Sequence, residues 1–150
     1  MDCMNLEKTM KKILALAGLL LAICPPAQAQ NVALLLFDAE TGKEFAGCLN
    51  CNRYDDGSVC NAYGDHGSRY SDESIWNRYG KFGSSYEENS PWNRYGEGLI
   101  IADRDGKFYG HFSANRYADG GQSRLPLIRS MLELQESGVE LDEIRDLLCE

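Results

Sequence analysis

Between Cys48 and Gly96 the chain repeats itself every 16 residues, and this restricts the possible folds more than any other feature of the sequence. Ser58-Val59-Cys60-Asn61-Ala62-Tyr63-Gly64 returns as Ser74-Ile75-Trp76-Asn77-Arg78-Tyr79-Gly80 and again as Ser90-Pro91-Trp92-Asn93-Arg94-Tyr95-Gly96. Gly67-Ser68-Arg69-Tyr70 is answered at the same offset by Gly83-Ser84-Ser85-Tyr86. Shorter echoes, Cys51-Asn52-Arg53-Tyr54 and Asn115-Arg116-Tyr117, flank the series. A self-supporting solenoid needs about three stacked copies plus caps. Two units and a half therefore read as a loop-rich insert, residues 48–96, on a small domain.

Each unit opens on a serine able to cap free amides and closes six residues later on a glycine, the usual left-handed stop. Pro91 follows Ser90 at a place where a helix start tolerates proline. The spacing thus predicts one helical turn per unit, with residues three apart sharing a face: Trp76 beside Tyr79, Trp92 beside Tyr95, Cys60 beside Tyr63. Arg78 and Arg94 then point to solvent, and Asn61, Asn77 and Asn93 bond nearby backbone. Such aromatics serve either as the insert's own core or as a surface for sugar rings or a partner protein. The candidate binding set is Trp76, Tyr79, Trp92, Tyr95, Asn77 and Asn93.

The run from Gly47-Cys48-Leu49-Asn50-Cys51-Asn52 through Ser58-Val59-Cys60-Asn61, the Trp-Asn-Arg-Tyr-Gly units and Asp105-Gly106-Lys107-Phe108-Tyr109-Gly110 together resemble a family of small exported bacterial proteins. The resemblance covers about Phe37 to Tyr117. It implies export and brings no activity, substrate or cofactor with it. The tail after Gly121, with Cys149, lies outside it.

Residues 1–29 read as a signal peptide: Lys11 and Lys12 precede the apolar run Ile13 to Cys24, and Ala27-Gln28-Ala29 supplies the small residues of a cleavage site. The run is too short for a confident membrane span, which needs about 20 apolar residues. Ile23 stands where a lipoprotein anchor at Cys24 needs a small side chain. Cleavage leaves residues 30–150 as a single domain, periplasmic or secreted. It removes three lysines and two acids, so the net charge moves from −8 to −9. An acidic surface argues against nucleic acid and anionic lipid as partners.

The remaining segments predict an α+β fold with a small antiparallel sheet of about four strands. Val32 to Phe37 and Lys43 to Leu49 read as one strand pair. Leu99 to Ala102 and Lys107 to Phe112 flank Asp103-Arg104-Asp105-Gly106, a hairpin signal that outweighs the resemblance of its acids to a calcium loop. After Gly120-Gly121, residues 125–149 show helical periodicity in Leu127, Ile128, Met131, Leu132 and Leu134, then Leu141, Ile144 and Leu148, with Gly138 as a stop between them. A C-terminal helical hairpin covering the sheet is expected.

Four cysteines outlast the signal: Cys48, Cys51, Cys60 and Cys149. In an exported domain they read as disulfides, with three possible pairings. The alternatives are thiol redox chemistry at Cys48 and Cys51, or a zinc site built from Cys48, Cys51, Cys60 and His66. No nucleophile stands in a motif with His66 or His111, and no phosphate-binding glycine loop is present. The expectation is a non-enzymatic exported protein, without a cofactor, that contacts a partner protein or an envelope glycan through its aromatic repeat.

Overall fold

A computed structural model describes residues 32–150. The signal-peptide reading lies outside the described residues. Four strands, β1 (Leu35–Asp38), β2 (Phe45–Cys48), β3 (Leu99–Ala102) and β4 (Phe108–Phe112), form one antiparallel sheet in the order β2-β1-β3-β4. The α+β prediction is therefore correct, and the insert occupies the connection from edge strand β2 to central strand β3. Two helices follow, α1 (Pro126–Glu136) and α2 (Leu141–Cys149). Gly138 lies between them at φ 91°, and backbone amides of Gly138 and Val139 return to Gln135 and Leu134, so this glycine ends α1 as its position suggested.

An aspartate side chain folds each hairpin turn. Asp38, at the end of β1, accepts from the amides of Thr41, Lys43 and Glu44 at 2.6, 3.0 and 2.7 Å. Asp103 accepts from the amides of Asp105 and Lys107, both at 2.9 Å, and from the Tyr109 hydroxyl at 3.0 Å. These bonds commit the Asp103 oxygens to the turn, as the hairpin reading expected. Burial opposes ionisation of Asp38, but the bonds from Glu44, Thr41 and Lys43 outweigh it and hold its carboxyl below the usual range. The Lys107 amide does the same for Asp103, against burial and with help from Tyr109 and Asp105.

A carboxyl whose folded-state pKa lies below its unfolded value of about 3.9 stabilises the fold above that pH and loses its contribution as pH falls through the folded value. The melting temperature should therefore hold from pH 7 to about 5 and fall below about 4. Melting curves of Asp38→Asn and Asp103→Asn should lie below wild type at neutral pH and converge on it in acid. A gap independent of pH would contradict this role.

The insert contains no helix, which corrects the expectation of one helical turn per unit. Its backbone runs as consecutive tight turns, with amides bonded to carbonyls three residues back: Ser58 to Asp55, Asn61 to Ser58, Gly64 to Asn61, and likewise Ser74 to Ser71, Asn77 to Ser74, Gly80 to Asn77. Side chains explain the difference. Ser58, Ser74 and Ser90 hydroxyls accept from the amides of Cys60, Trp76 and Trp92, two residues on. Asn61, Asn77 and Asn93 oxygens accept from Tyr63, Tyr79 and Tyr95 in the same way. Each such bond takes an amide that a helix would have used.

Gly64, Gly80 and Gly96 are not left-handed stops either. They are required because a Cβ there would meet a backbone carbonyl of the preceding segment, at 3.0 Å from Asp56, 2.6 Å from Asp72 and 2.3 Å from Glu88.

The turns stack unit on unit. The Trp76 indole N–H donates to the Val59 carbonyl at 2.7 Å and that of Trp92 to the Ile75 carbonyl at 2.6 Å, each reaching the unit before its own. Asn61, Asn77 and Asn93 amides donate to the carbonyls of Asp55, Ser71 and Glu87. Val59, Ile75, Trp76 and Trp92 share one buried cluster with Leu36, Leu99, Ile101 and Phe112 of the sheet and with Ile128, Met131 and Ile144 of the helices. The insert is thus a layer of the common core and has no separate core of its own.

Candidate functional site

Trp76 and Trp92 are each 2% exposed, which removes them from the binding surface on which the sequence placed them. Their faces are spent on each other, at 6.0 Å between ring centroids, and on Phe112, against which Trp92 packs edge-on at 5.2 Å. Asn77 is largely and Asn93 almost wholly covered, and their side chains bond backbone on both sides, so they set the turns.

Tyr79 and Tyr95 stand out from the core that the tryptophans fill and are 87% and 90% exposed. The expected pairing of Trp76 with Tyr79 on one face fails because the chain turns too tightly for a helical face to form. Five further tyrosines stand out as far: Tyr54, Tyr63, Tyr70, Tyr86 and Tyr117, each at least 81% exposed. The signal for them was in the sequence. Tyr54, Tyr63, Tyr70, Tyr79, Tyr86 and Tyr95 follow one another at alternating intervals of nine and seven residues. Each is preceded two places earlier by a serine or asparagine whose oxygen accepts its amide. The true structural unit is this half-repeat, which Asn115-Arg116-Tyr117 continues after β4.

Along one side the tyrosines border the helical hairpin, and ion pairs close the seam. Arg69 reaches Asp146 at 2.8 Å and Asp142 at 3.4 Å; Arg78 pairs with Glu140, and Arg116 with Glu136 at 3.4 Å. Beneath them the buried Arg145 of α2 donates to the Gly67 carbonyl at 2.9 Å and the Cys60 carbonyl at 3.4 Å.

Three linked concavities follow the seam past Arg69 and Arg78, and a separate one of about 370 Å³, lined by Arg94, Arg116, Tyr117 and Glu136, shares no residue with them. The first, about 350 Å³, is lined by Arg69, Tyr70 and Arg145. The second, about 220 Å³, shares Arg69 and Tyr70 with it and extends to Arg78 and Tyr79. The third, about 500 Å³, shares Arg78 and Tyr79 with the second and adds Tyr86, Gln135 and the turn 138–141. Trp76 and Asn77 contribute to the second and Trp92 to the third. Tyr95 and Asn93 line none of the three. The Gln135 side-chain oxygen is buried and has no hydrogen-bond partner.

The cysteines pair as Cys48–Cys51 and Cys60–Cys149. The alternative zinc set of Cys48, Cys51, Cys60 and His66 is thereby taken apart: Cys60 is bonded to the C-terminal helix, and His66 packs edge-on against Phe45 at 4.9 Å. Among the described residues no three His, Cys, Asp or Glu side chains gather as metal ligands. Cys48 ends β2 and is almost wholly buried, so it lacks the helix-start setting that activates the first thiol of a redox pair. His111 lies on the sheet, as expected, with Nδ1 2.9 Å from the Glu97 carbonyl oxygen.

Searches of family models, characterised proteins and solved structures return no match to the chain. Among the described residues no helix is long and apolar enough to cross a membrane.

Proposed function

We propose that the protein is an exported, non-catalytic binding module that holds a glycan of the cell envelope on the tyrosine-lined seam between its repeat and its helical hairpin. The observation that carries this reading is the exposure of Tyr70, Tyr79 and Tyr86 beside linked concavities. Large rigid aromatic rings cost energy to leave in water, and they offer flat apolar faces to a sugar ring at low entropic cost. The concavities fall at or near the ~300–1,000 Å³ range of small-ligand sites. Export is supported by the apolar segment near the start of the chain, by the resemblance to small exported bacterial proteins, and by two disulfides, which persist in oxidising compartments. A partner protein is the second reading, favoured by the length of the tyrosine series beyond the seam.

Co-sedimentation with purified peptidoglycan sacculi, chitin and cellulose tests the glycan reading. Wild type should sediment with at least one of them. The double variant Tyr79→Ala/Tyr86→Ala should stay in solution with its melting temperature unchanged to within about 2 °C, because both side chains stand clear of the core. Failure of wild type to sediment with any of the three, or equal sedimentation of the double variant, would overturn it.

A further inference from the structure

The three concavities are joined in series, and the joints are the same each time. Arg69 and Tyr70 belong to the first and second, Arg78 and Tyr79 to the second and third, so an Arg-Tyr pair stands at each boundary. The two joints lie nine residues apart, one step of the half-repeat, so the same local turn recurs from one concavity to the next. A periodic row of subsites suits a ligand that is itself periodic and extended.

The charges on the seam restrict that ligand further. Arg69 is satisfied by Asp142 and Asp146, Arg78 by Glu140 and Arg145 by Asp146, so the three linked concavities offer paired charges rather than a free cation or anion. An anionic polymer would have to displace these carboxylates, and a cationic one the arginines. A neutral, hydroxyl-rich chain can bond to both members of each pair without breaking it. Gln135 adds a polar anchor in the widest concavity. Its oxygen is buried and lacks a partner in the fold, so one end of the amide is left to a ligand donor or acceptor at the concavity's floor.

From this we infer that the seam is a multi-subsite groove for an extended, uncharged polysaccharide, its successive sugar units lying between Tyr70, Tyr79 and Tyr86. This inference rests on the glycan-binding reading above and deepens it.

Isothermal titration with N-acetylglucosamine oligomers of one to six units, and in parallel with cello-oligosaccharides, tests it on the full exported protein. In at least one series affinity should rise with each added unit and level off once the three concavities are filled, gaining on the order of a hundredfold from the monomer to the plateau. Tyr79→Ala, which affects two subsites at once, should cost on the order of tenfold for the long oligomers and shift the plateau to shorter ones. Tyr63→Ala, fully exposed and outside all three concavities, should bind as wild type. Raising salt from 0.05 to 0.5 M should leave affinity within about twofold, since no net charge is neutralised on binding.

Equal affinity for all lengths would overturn the subsite series while leaving glycan binding intact, as would polymer sedimentation without any oligomer binding. A steep loss of affinity with salt would overturn the uncharged ligand. Absence of binding to every oligomer and every polymer would remove the parent reading as well.

Discussion

Replacing Trp92 by alanine should destabilise the protein by about 3–5 kcal/mol, the range for truncating a large buried aromatic side chain. Its ring fills the space between Trp76 and Phe112, where repeat meets sheet, so the cavity would open at the centre of the shared cluster. The substitution also strips the Ile75 carbonyl of its indole partner in a buried position, which adds to the cost. Against a typical total of about 5–15 kcal/mol, a loss of this size lowers the melting temperature by more than about 10 °C. Trp92→Phe keeps a six-membered ring in the core but loses the pyrrole half of the indole and its N–H, so it should fall between Trp92→Ala and wild type. Thermal unfolding followed by near-ultraviolet circular dichroism measures both. A Trp92→Ala protein that melts with wild type would contradict the inward placement of the tryptophans.

Cys149→Ser should cost at least as much. The Cys60–Cys149 bridge spans 89 residues, and in the chain-entropy description a loop of that length stabilises by about 4–5 kcal/mol. The bridge also pins α2 to the first repeat unit, where Arg145 satisfies two repeat carbonyls. Once α2 is free to leave, those carbonyls lose a charged donor and the Arg69 and Arg78 pairs loosen together, so the loss should spread along the seam. The Cys48–Cys51 bridge closes a separation of only three residues, and Cys51→Ser should be distinctly milder. Urea unfolding of the two variants ranks them; a larger loss in Cys51→Ser would contradict this assignment of the long bridge as the main staple.

The regular elements were legible because their signals are local. Asp103-Arg104-Asp105-Gly106 announces its hairpin, the spacing of Ile128, Met131 and Leu132 announces a helix, and Gly138 announces its end. The repeat was legible as a repeat and misread as a shape. Reading Trp76 and Tyr79 onto one face assumes helical geometry, and serine and asparagine oxygens that each take the amide two residues on prevent it. Trp76 and Trp92 therefore turn inward and Tyr79 and Tyr95 outward, which takes both tryptophans out of the proposed binding surface. The alternation of nine and seven between tyrosines was the available clue, since a rhythm that is neither 3.6 nor 2 belongs to neither helix nor strand.

The seam itself had no local signal. Arg69 meets Asp146 across 77 residues and Arg78 meets Glu140 across 62, and only the folded chain brings them together. Disulfide pairing was hidden for the same reason. Four cysteines allow three pairings, and the choice depends on where α2 docks.

The most direct test of the tyrosine seam as a glycan-binding surface is ¹⁹F NMR of the protein labelled with 3-fluorotyrosine, titrated with the N-acetylglucosamine hexamer and with cellohexaose. All eight tyrosines are then observed in one spectrum, assigned by single Tyr→Phe variants. The result expected is a saturable shift of Tyr70, Tyr79 and Tyr86 with at least one hexamer, while Tyr54 and Tyr63 keep their positions. Shifts confined to Tyr54 and Tyr63, or none at any tyrosine with either sugar, would contradict it.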